Sequence, residues 1–338
     1  MVISFSGHVT RVVSVEESSQ VGQVRREALN LAGLADFDEL DGGRVALAAT
    51  EIATNVLKHG RGGRVHLSLI AGRHGRGVEI CGIDQGPGFS LTRCLPDGFS
   101  TAGSPGQGLG AIKRQSAVFD VWSDEVGSIV LSRIYASESK DPDLAYGALR
   151  LPMRHEVACG DGWHLAMSDA RLVVTLIDGL GHGVLASEAA DLGVAAAANA
   201  GMRAVDDVLA QMHTRMSRSR GGAAAVFSHD RESGQSHFAG IGNISAAVHN
   251  GTASSRGLPS HPGIVGAQYR RIQAFGLHIE PGNLLLMHSD GLQTRWNLGE
   301  YDGLFYRHPA LVVAVLQRDF DRGRDDTGIV AIRLGAHP

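Results

Sequence analysis

The sequence is poor in the features that mark secreted and membrane-spanning proteins. It has only three cysteines in 338 residues, at positions 81, 94 and 159, and this odd, widely spaced set predicts neither a disulfide framework nor a zinc site. No apolar run reaches the roughly 18 residues needed to cross a bilayer. The first residues, MVISFSGHVTRVV, lack the charged leader and apolar core of a signal peptide. These absences predict a cytoplasmic protein from a reducing compartment, without a membrane partner.

Positive charge is also scarce. Lys and Arg number 31 against 35 Asp and Glu, a formal net charge of −4, and no basic run occurs, so a nucleic-acid partner is not expected. Glycine, by contrast, is abundant at 45 residues. Much of it clusters in loops, which favours loops whose backbone approaches a ligand. The length predicts two domains, at about 150 residues each.

The N-terminal half contains a helix with polar residues at helical spacing. The apolar pattern predicts this helix from about Arg44 to His59, with Gly60 as its C-terminal stop. Glu51, Asn55 and His59 lie at i, i+4 and i+8, so they share one face. A plain solvated face would explain these three residues equally well if they stood alone.

Two strands and a glycine-rich tract follow that helix. Residues 64–70 and 77–84 alternate apolar and polar side chains, as strands do. The second strand runs directly into Asp84, Gly86 and Gly88. The tract LPDGFSTAGSPGQGLG then opens a short helix, and glycines before a helix N-terminus leave backbone N–H groups free to hold phosphate. The order of these motifs, more than any one of them, indicates a nucleotide site.

This order resembles the Bergerat ATP-binding fold of the gyrase, chaperone, histidine-kinase and MutL superfamily. The segments EIATNVLKHG, DQGPG and DGFSTAGSPGQGLGAIKR closely resemble the RsbT and RsbW anti-sigma serine kinases, RsbT most. The resemblance covers about residues 15 to 135. Upstream of residue 50 no dimerisation helix pair carries a histidine, so a histidine autokinase is not expected.

The resemblance to these kinases implies roles for individual residues. Glu51 would orient or deprotonate the attacking hydroxyl, and Asn55 would bind the Mg²⁺ that accompanies ATP. Asp84 would accept a hydrogen bond from the adenine amino group. The remaining ATP-binding positions implied are Gly86 and Gly88 in the adenine pocket, with Thr101, Gly106, Gly108 and Gly110 around the phosphates. Phosphoryl transfer needs mostly positioning and charge neutralisation, so this small set could suffice.

A polar, proline-containing stretch divides the chain. It predicts a kinase domain at residues 1–136, a linker at 137–148 and a second domain at 149–338. The second half reads as strands, a helix pair at about 184–200 and 204–217, more strands and a late amphipathic helix. This order predicts two sheets with helices packed outside.

Acidic residues recur at strand ends in this half. The run VVTLIDGLGHG ends a buried strand at Asp178, and Asp161, Asp290 and the Asp325–Asp326 pair stand at other strand ends. Four converging carboxylates would repel one another unless cations lie between them, and two divalent ions can hold a water as hydroxide and clamp a phosphate. Alternatively, each aspartate only caps its own turn or helix.

The order GD…DGxGHG…SDG…DD resembles the type 2C serine/threonine phosphatases, in the SpoIIE and RsbX branch, and GGAAAVF and AGIGN also fit that branch. By this resemblance Asp178 bridges two metal ions, Mg²⁺ or Mn²⁺, and the carbonyl of Gly179 completes one shell. Asp290 and Asp325 hold the other ion, with help from Asp161. The family usually ends in DDxT, whereas this chain has DDTG, which leaves the role of Asp326 open.

A second departure concerns the general acid. Larger relatives carry a histidine directly after the DG pair, where this chain has Leu180. His182, two residues later, is the candidate acid, and a loop-packing imidazole is the alternative. Together the two resemblances imply an α/β (α+β) protein, with an N-terminal Bergerat-fold α/β sandwich and a C-terminal type 2C phosphatase-like α-β-β-α sandwich.

The two halves together predict a bifunctional partner-switching regulator. One half would use ATP to phosphorylate a serine or threonine on a STAS-domain partner, either an anti-sigma antagonist or a stressosome component. The other half would hydrolyse phosphoserine or phosphothreonine on the same or a related partner. The alternative is a phosphatase alone, whose N-terminal domain is a non-catalytic ATP-dependent clamp or a sensor. A sigma factor or a downstream phosphatase is a further candidate partner.

Overall fold

The computed structural model describes residues 2–89, 108–137, 143–252 and 254–335. Two compact units make up the chain: one is Thr10–Leu144, and the other joins the segment up to Val9 to the chain from Ala145 onwards. No helix among the described residues is both long and apolar enough to cross a membrane.

The first strand, β1 (Ile3–Ser6), accounts for this division. It pairs antiparallel with the strand Asp161–Met167 of the C-terminal half, Ser6 opposite His164. The structure therefore divides the chain differently from the predicted 1–136, 137–148 and 149–338. Within the predicted linker, Ser137 donates to Asp41 in the first unit through its backbone N–H, and residues 146–148 already belong to a strand. Residues 138–142 lie outside the described residues.

The Thr10–Leu144 unit is one antiparallel sheet covered by helices. Its strand order is β2-β3-β4-β6-β5. Helices α1 and α2 pack together on the sheet, and α3 packs against α2. In chain order the elements are β2 (Arg11–Val15), α1 (Ser18–Leu34), α2 (Glu39–Lys58), β3 (Gly63–Ala71), β4 (Arg76–Asp84), α3 (Gly108–Gln115), β5 (Val118–Asp124) and β6 (Gly127–Tyr135).

Helix α2 begins five residues before the predicted Arg44. Asp38 caps it, because its side chain accepts a hydrogen bond of 2.8 Å from the backbone N–H of Asp41. The adjacent Gly42 and Gly43 weaken the helical pattern without breaking the helix. The buried stripe of α2 includes Val45, Ile52 and Val56, which leaves Glu51 and Asn55 only partly covered.

The larger unit is built on two antiparallel sheets. One has the order β1-β8-β9-β10-β11-β16, the other β13-β12-β17-β18-β7, and β14 pairs with β15. The strands are β7 (Tyr146–Leu151), β8 (Asp161–Met167), β9 (Arg171–Gly179), β10 (Gly222–Asp230), β11 (Gln235–Ile241), β12 (Ser245–His249), β13 (Ser255–Gly257), β14 (Gly263–Ile264), β15 (Gln268–Tyr269), β16 (Phe275–His278), β17 (Leu284–His288) and β18 (Thr327–Arg333).

Helices cover the two sheets of this unit. Helices α4 (Val184–Ala200) and α5 (Val205–Met216) pack on the six-stranded sheet, and α6 (Pro309–Phe320) packs on β7 and β18 of the other. Fully buried apolar side chains fill the layer between α4, α5 and their sheet, among them Ile177, Leu209 and Met212. Strand β18 contacts β8 and β9 across the sheets. The predicted α-β-β-α arrangement and helix pair are confirmed.

Candidate functional site

The predicted aspartates of the larger unit lie at one edge of its two sheets. Asp161 begins β8 and lies directly opposite Asp178 of β9 in the antiparallel ladder, so the two side chains are on the same face. The second sheet is close at this point: Ser289, next to Asp290, donates a hydrogen bond of 2.6 Å from Oγ to Asp161 Oδ2. Asp325 and Asp326 directly precede β18, which pairs with β17. We call these five aspartates the carboxylate cluster.

The cluster is electrostatically coupled. Burial, followed by repulsion from Asp290, Asp325 and Asp326, raises the pKa of Asp178 to about 7. Burial and then the charge of Asp178 raise the pKa of Asp161 well above its ordinary value, and burial with the charge of Asp290 raises the pKa of Asp325. Like charges and desolvation both oppose ionisation here, so a bound cation would relieve the repulsion.

Oxygen ligands of this kind suit hard divalent cations such as Mg²⁺ and Mn²⁺. Asp161 accepts from Ser289, and Asp290 Oδ2 accepts from the Asn243 side-chain amide at 2.8 Å, which fixes both carboxylates at the edge. Among the residues described, no three His, Cys, Asp or Glu side chains are gathered as a ready metal-binding set. The donor chemistry of the cluster fits such cations.

Asp326 has a different environment from the other four aspartates. It is buried, and its two oxygens accept backbone hydrogen bonds of 2.7 Å, one from Met153 N and one from Gly160 N. It therefore holds the segment that leads into Asp161. The shifted DDTG motif, which left the role of Asp326 open, is consistent with this structural task.

His182 lies on the loop after β9, where it is exposed. Its Nδ1 is 3.1 Å from Glu156 Oε1, and its positive form would lower the pKa of Asp325 and Asp326. Gly179, the last residue of β9, leaves no room for a side chain, because a Cβ there would lie 2.3 Å from the carbonyl oxygen of Ala186.

In the Thr10–Leu144 unit, the predicted catalytic and Mg²⁺-binding residues lie beside the glycine tract. A Cβ at Gly108 would lie 3.1 Å from Glu51 Oε2 and 3.5 Å from Asn55 Oδ1. Gly108 and Gly110 form the first turn of α3, whose N-terminal backbone N–H groups can receive an anion. Two further predicted residues, Thr101 and Gly106, lie outside the described residues.

Asp84 is held rigidly at the end of β4. Its Oδ1 accepts from Gly86 N at 2.9 Å and from Ser128 N at 3.0 Å. A Cβ at Gly60 would lie 2.2 Å from Asp84 Cβ, so the end of α2 approaches this carboxylate closely. The predicted Gly88 has φ +69 and faces the carbonyl oxygen of Asp124. The structure thus brings Asp84, Gly86 and Gly88 together at the end of β4.

Sequence reasoning missed several supporting residues. Ser128 and Ser289, which donate to Asp84 and Asp161, carry no signal of their own in the sequence. Asn243 ends the AGIGN segment. Besides donating to Asp290, its side chain lowers the pKa of Asp178 by hydrogen bonding. The AGIGN segment alone could have indicated that Asn243 takes part in the site, but not that it contacts Asp290.

Family models match most of both units. Residues 14–133 match the histidine kinase-like ATPase domain, which includes Glu51, Asn55 and Asp84. Residues 168–333 match the stage II sporulation protein E (SpoIIE) family, which includes Asp178, Asp290 and Asp325, while Asp161 precedes the match.

Two curated relatives from Bacillus subtilis (strain 168) match different parts of the chain. The serine/threonine-protein kinase RsbT is 34% identical over 91 residues, 27% of this chain and 68% of RsbT. The phosphoserine phosphatase RsbX is 24% identical over 136 residues, 40% of this chain and 68% of RsbX.

A solved structure described as "The bacterial stressosome: a modular system that has been adapted to control secondary messenger signaling" shares the fold. The match covers 56% of this chain and 99% of the other, at 24% identity with a TM-score of 0.52. The chain therefore belongs to the family of RsbT-like, histidine kinase-like ATPase domains, and it joins that domain to a phosphatase domain of the SpoIIE type.

Proposed function

We propose that the larger unit is a metal-dependent phosphatase of phosphoserine and phosphothreonine in a partner protein. The observation that carries this proposal is the pairing of Asp161 with Asp178 beside Asp290 and Asp325, with pKa values raised by burial and mutual repulsion. Together with the carbonyl of Gly179, these residues would hold the divalent cations. When bound, Mg²⁺ or Mn²⁺ would neutralise the phosphate and lower the pKa of a water.

The remaining steps at this site belong to the residues of the chain. Asp326 keeps the segment before Asp161 in place through Met153 N and Gly160 N. His182 is exposed on the loop after β9 and is oriented by Glu156, so it can donate a proton to the leaving serine oxygen. Because Glu156 orients His182 on the loop that follows Asp178 and Gly179, we assign it this role.

We propose further that the Thr10–Leu144 unit phosphorylates a serine or threonine of a STAS-domain partner with ATP. The proximity of Gly108 to Glu51 and Asn55 supports it, as does the similarity to RsbT. Glu51 would orient the attacking hydroxyl, Asn55 would hold the Mg²⁺ of ATP, and Asp84 would bind adenine. Because the kinase and phosphatase sites would be in one chain, a docked partner is at high effective concentration near both. Such an arrangement suits a partner-switching regulator.

One labelling assay tests both halves. Labelled ATP and a candidate STAS partner would be incubated with wild type, Glu51→Ala and Asp178→Asn. We expect no label on the partner with Glu51→Ala, and label that persists with Asp178→Asn. Hydrolysis of p-nitrophenyl phosphate with Mn²⁺ should fall more than about a hundredfold in Asp178→Asn, since several kcal/mol of charge stabilisation depend on the cation.

Matched controls separate these effects from general damage. Glu39→Ala removes an exposed carboxylate from the same helix as Glu51, and Asp302→Asn neutralises an exposed aspartate of the larger unit. Both should behave as wild type. If the partner binds in the presence of ATP but takes no label even with Asp178→Asn, the kinase proposal fails, and the N-terminal unit is an ATP-dependent clamp or a sensor beside a phosphatase.

A further inference from the structure

An arginine-lined cleft lies beside the carboxylate cluster. Its volume is about 500 Å³, and its lining includes three arginines and three aspartates: Arg295, Arg322, Arg324, Asp290, Asp321 and Asp325. We call it the arginine cleft. It shares two aspartates with the cluster, so any chain segment that reaches the cluster through this opening also passes the three guanidinium groups.

The arginine cleft is built from two loops joined by backbone hydrogen bonds. Gln293 N donates to Phe320 O at 3.0 Å, and Arg322 N donates to Gly291 O at 2.9 Å. Asp321 then fixes the second loop, because its Oδ1 accepts from Gly323 N and from Thr327 Oγ1, both at 3.1 Å. The backbone that carries the arginines is therefore held in place before any ligand arrives.

Asp321, the third aspartate of the cleft lining, makes its hydrogen bonds with neighbouring residues of the loop and helix. Asp321 Oδ2 accepts from Gln317 Nε2 at 3.1 Å, so both of its oxygens have partners within the loop and helix. The side chains of Arg295, Arg322 and Arg324 are exposed, and within the described part of the chain none of them forms an ion pair. The charge of Arg322 partly offsets the rise that burial causes in the pKa of Asp325, yet all three guanidinium groups are exposed and can donate hydrogen bonds to a ligand that enters the cleft.

A fourth arginine, Arg154, lies near the same loop, since a Cβ at Gly323 would be 3.4 Å from its Nε. Guanidinium groups bind carboxylates in a planar, two-point geometry. An acidic side chain of a partner is thus the chemical complement of the cleft.

We propose that the arginine cleft binds acidic side chains that flank the phosphorylated residue of the substrate polypeptide. This inference rests on the phosphatase function proposed for the cluster. An extended chain advances at most about 3.3–3.6 Å per residue, so with the phosphoryl group at Asp290 and Asp325, the next one to three residues of the substrate reach the arginines. The cleft thereby selects phosphorylated segments rich in Asp and Glu.

Phosphopeptides of two kinds test the inference. One carries a phosphoserine between Asp and Glu residues, the other the same phosphoserine between Ala and Gln. With Mn²⁺, wild type should hydrolyse the acidic peptide with a kcat/KM about tenfold higher, mainly through KM. Arg295→Gln should lower the preference for the acidic peptide about threefold, as expected for the loss of an exposed ion pair. The double variant with Arg295→Gln and Arg322→Gln should abolish it. Raising the salt from about 0.05 to 0.5 M should also reduce it.

The control is Arg256→Gln, an exposed arginine on the edge strand β13 that does not line the cleft; it should keep the wild-type preference. Equal hydrolysis of the two peptides by wild type would overturn the inference. So would an equal loss on both peptides and on p-nitrophenyl phosphate in the arginine variants, because the arginines would then bind the phosphoryl group itself. If wild type hydrolyses none of the three substrates, the phosphatase function fails and the inference with it.

Discussion

Two adjacent aspartates, Asp325 and Asp326, differ in their hydrogen bonds. Both of the Asp326 oxygens accept from buried backbone N–H groups, whereas Asp325 accepts one hydrogen bond, from Asp326 N. Burial raises the pKa of both carboxyl groups. The two hydrogen bonds of Asp326 to other segments therefore distinguish it as the residue that supports the fold.

Alanine substitution should separate these two aspartates. Without metal, Asp326→Ala should lower the free energy of unfolding by at least about 2 kcal/mol more than Asp325→Ala, because two buried N–H groups lose their acceptors. Asp325→Ala should be near neutral, since relief of repulsion offsets one lost bond. Urea denaturation in EDTA measures both. Equal losses would contradict the assignment of Asp326 as a structural residue.

A buried histidine should make the stability of the Thr10–Leu144 unit depend on pH. Burial, helped by Arg64, lowers the pKa of His66 to about 3, so the folded chain keeps it neutral. Below pH 6.5 the unfolded chain takes up a proton that the folded chain does not, and stability is lost as pH falls towards 3. Between pH 7.5 and 4.5 the protonation of His66 in the unfolded chain should lower the free energy of unfolding by about 2–3 kcal/mol.

His66→Leu should remove that share of the pH dependence. His66 Nε2 has no hydrogen-bond partner within the described residues, so leucine leaves no new unpaired group. Urea denaturation from pH 7.5 to 4.5 compares wild type with His66→Leu and with His237→Gln, an exposed control. Wild type and control should lose more stability than the leucine variant on acidification. Parallel curves for all three would contradict the prediction.

Among the elements, the contact of α2 with β4 sets the position of the residues proposed to bind ATP. A Cβ at Gly82 of β4 would lie 2.5 Å from Ile52 Cγ2 and 3.1 Å from Val56 Cγ2 of α2. The missing side chain therefore lets α2 lie close to the sheet. Since Glu51 and Asn55 are on α2, the depth of that packing decides their distance from Gly108.

Gly82→Ala should displace α2 and weaken nucleotide binding. We expect a loss of about 1–3 kcal/mol in stability from overpacking, and a several-fold higher Kd for a non-hydrolysable ATP analogue by calorimetric titration. Gly75→Ala is the control, because a Cβ at Gly75 meets nothing within 4 Å. The same Kd for both variants would show that the packing of α2 does not govern the site.

Elements with local signals were predictable from the sequence, and elements made by distant contacts were not. The apolar spacing of Val205, Leu209 and Met212 predicted α5, and the alternation in residues 64–70 predicted β3. Helix α2 was placed five residues too late, since the Gly42–Gly43 pair masks a start that Asp38 caps. The aspartates of the cluster were predicted from their places at the beginnings and ends of strands. Their supporting partners Ser289 and Asn243 come from other loops, which only the folded sheets bring near.

For the molecule as a whole, β1 makes the larger unit discontinuous in sequence. The chain passes from one unit to the other twice, after Val9 and after Leu144. Ser6 Oγ lies 3.0 Å from His164 Nδ1, a pair separated by 158 positions, and Arg150 donates to Gly7 O and to Asp191 of α4. The N-terminal segment is thus tied to the strand that carries Asp161.

Phe5→Ala should loosen this connection. Phe5 is buried, with its ring centroid 5.7 Å from that of Trp163 in β8. Removing the ring should cost about 3 kcal/mol and increase hydrogen exchange of β8 amides, while β3 stays protected as in wild type. Val2→Ala, at a 65% exposed position, is the control. Unchanged exchange in β8 would show that β1 contributes little to the larger unit.

The discontinuity also has a consequence for how the protein is made. Residues 3–6 leave the ribosome long before residues 164–167, with which they pair; at about 5–20 residues per second the delay is on the order of ten seconds. During that time the Thr10–Leu144 segment can complete its own sheet, while the nascent β1 keeps an open strand edge that invites wrong pairing. Strand β1 is thus synthesised well before the strand that completes its pairing, and until then its edge stays open to other chains.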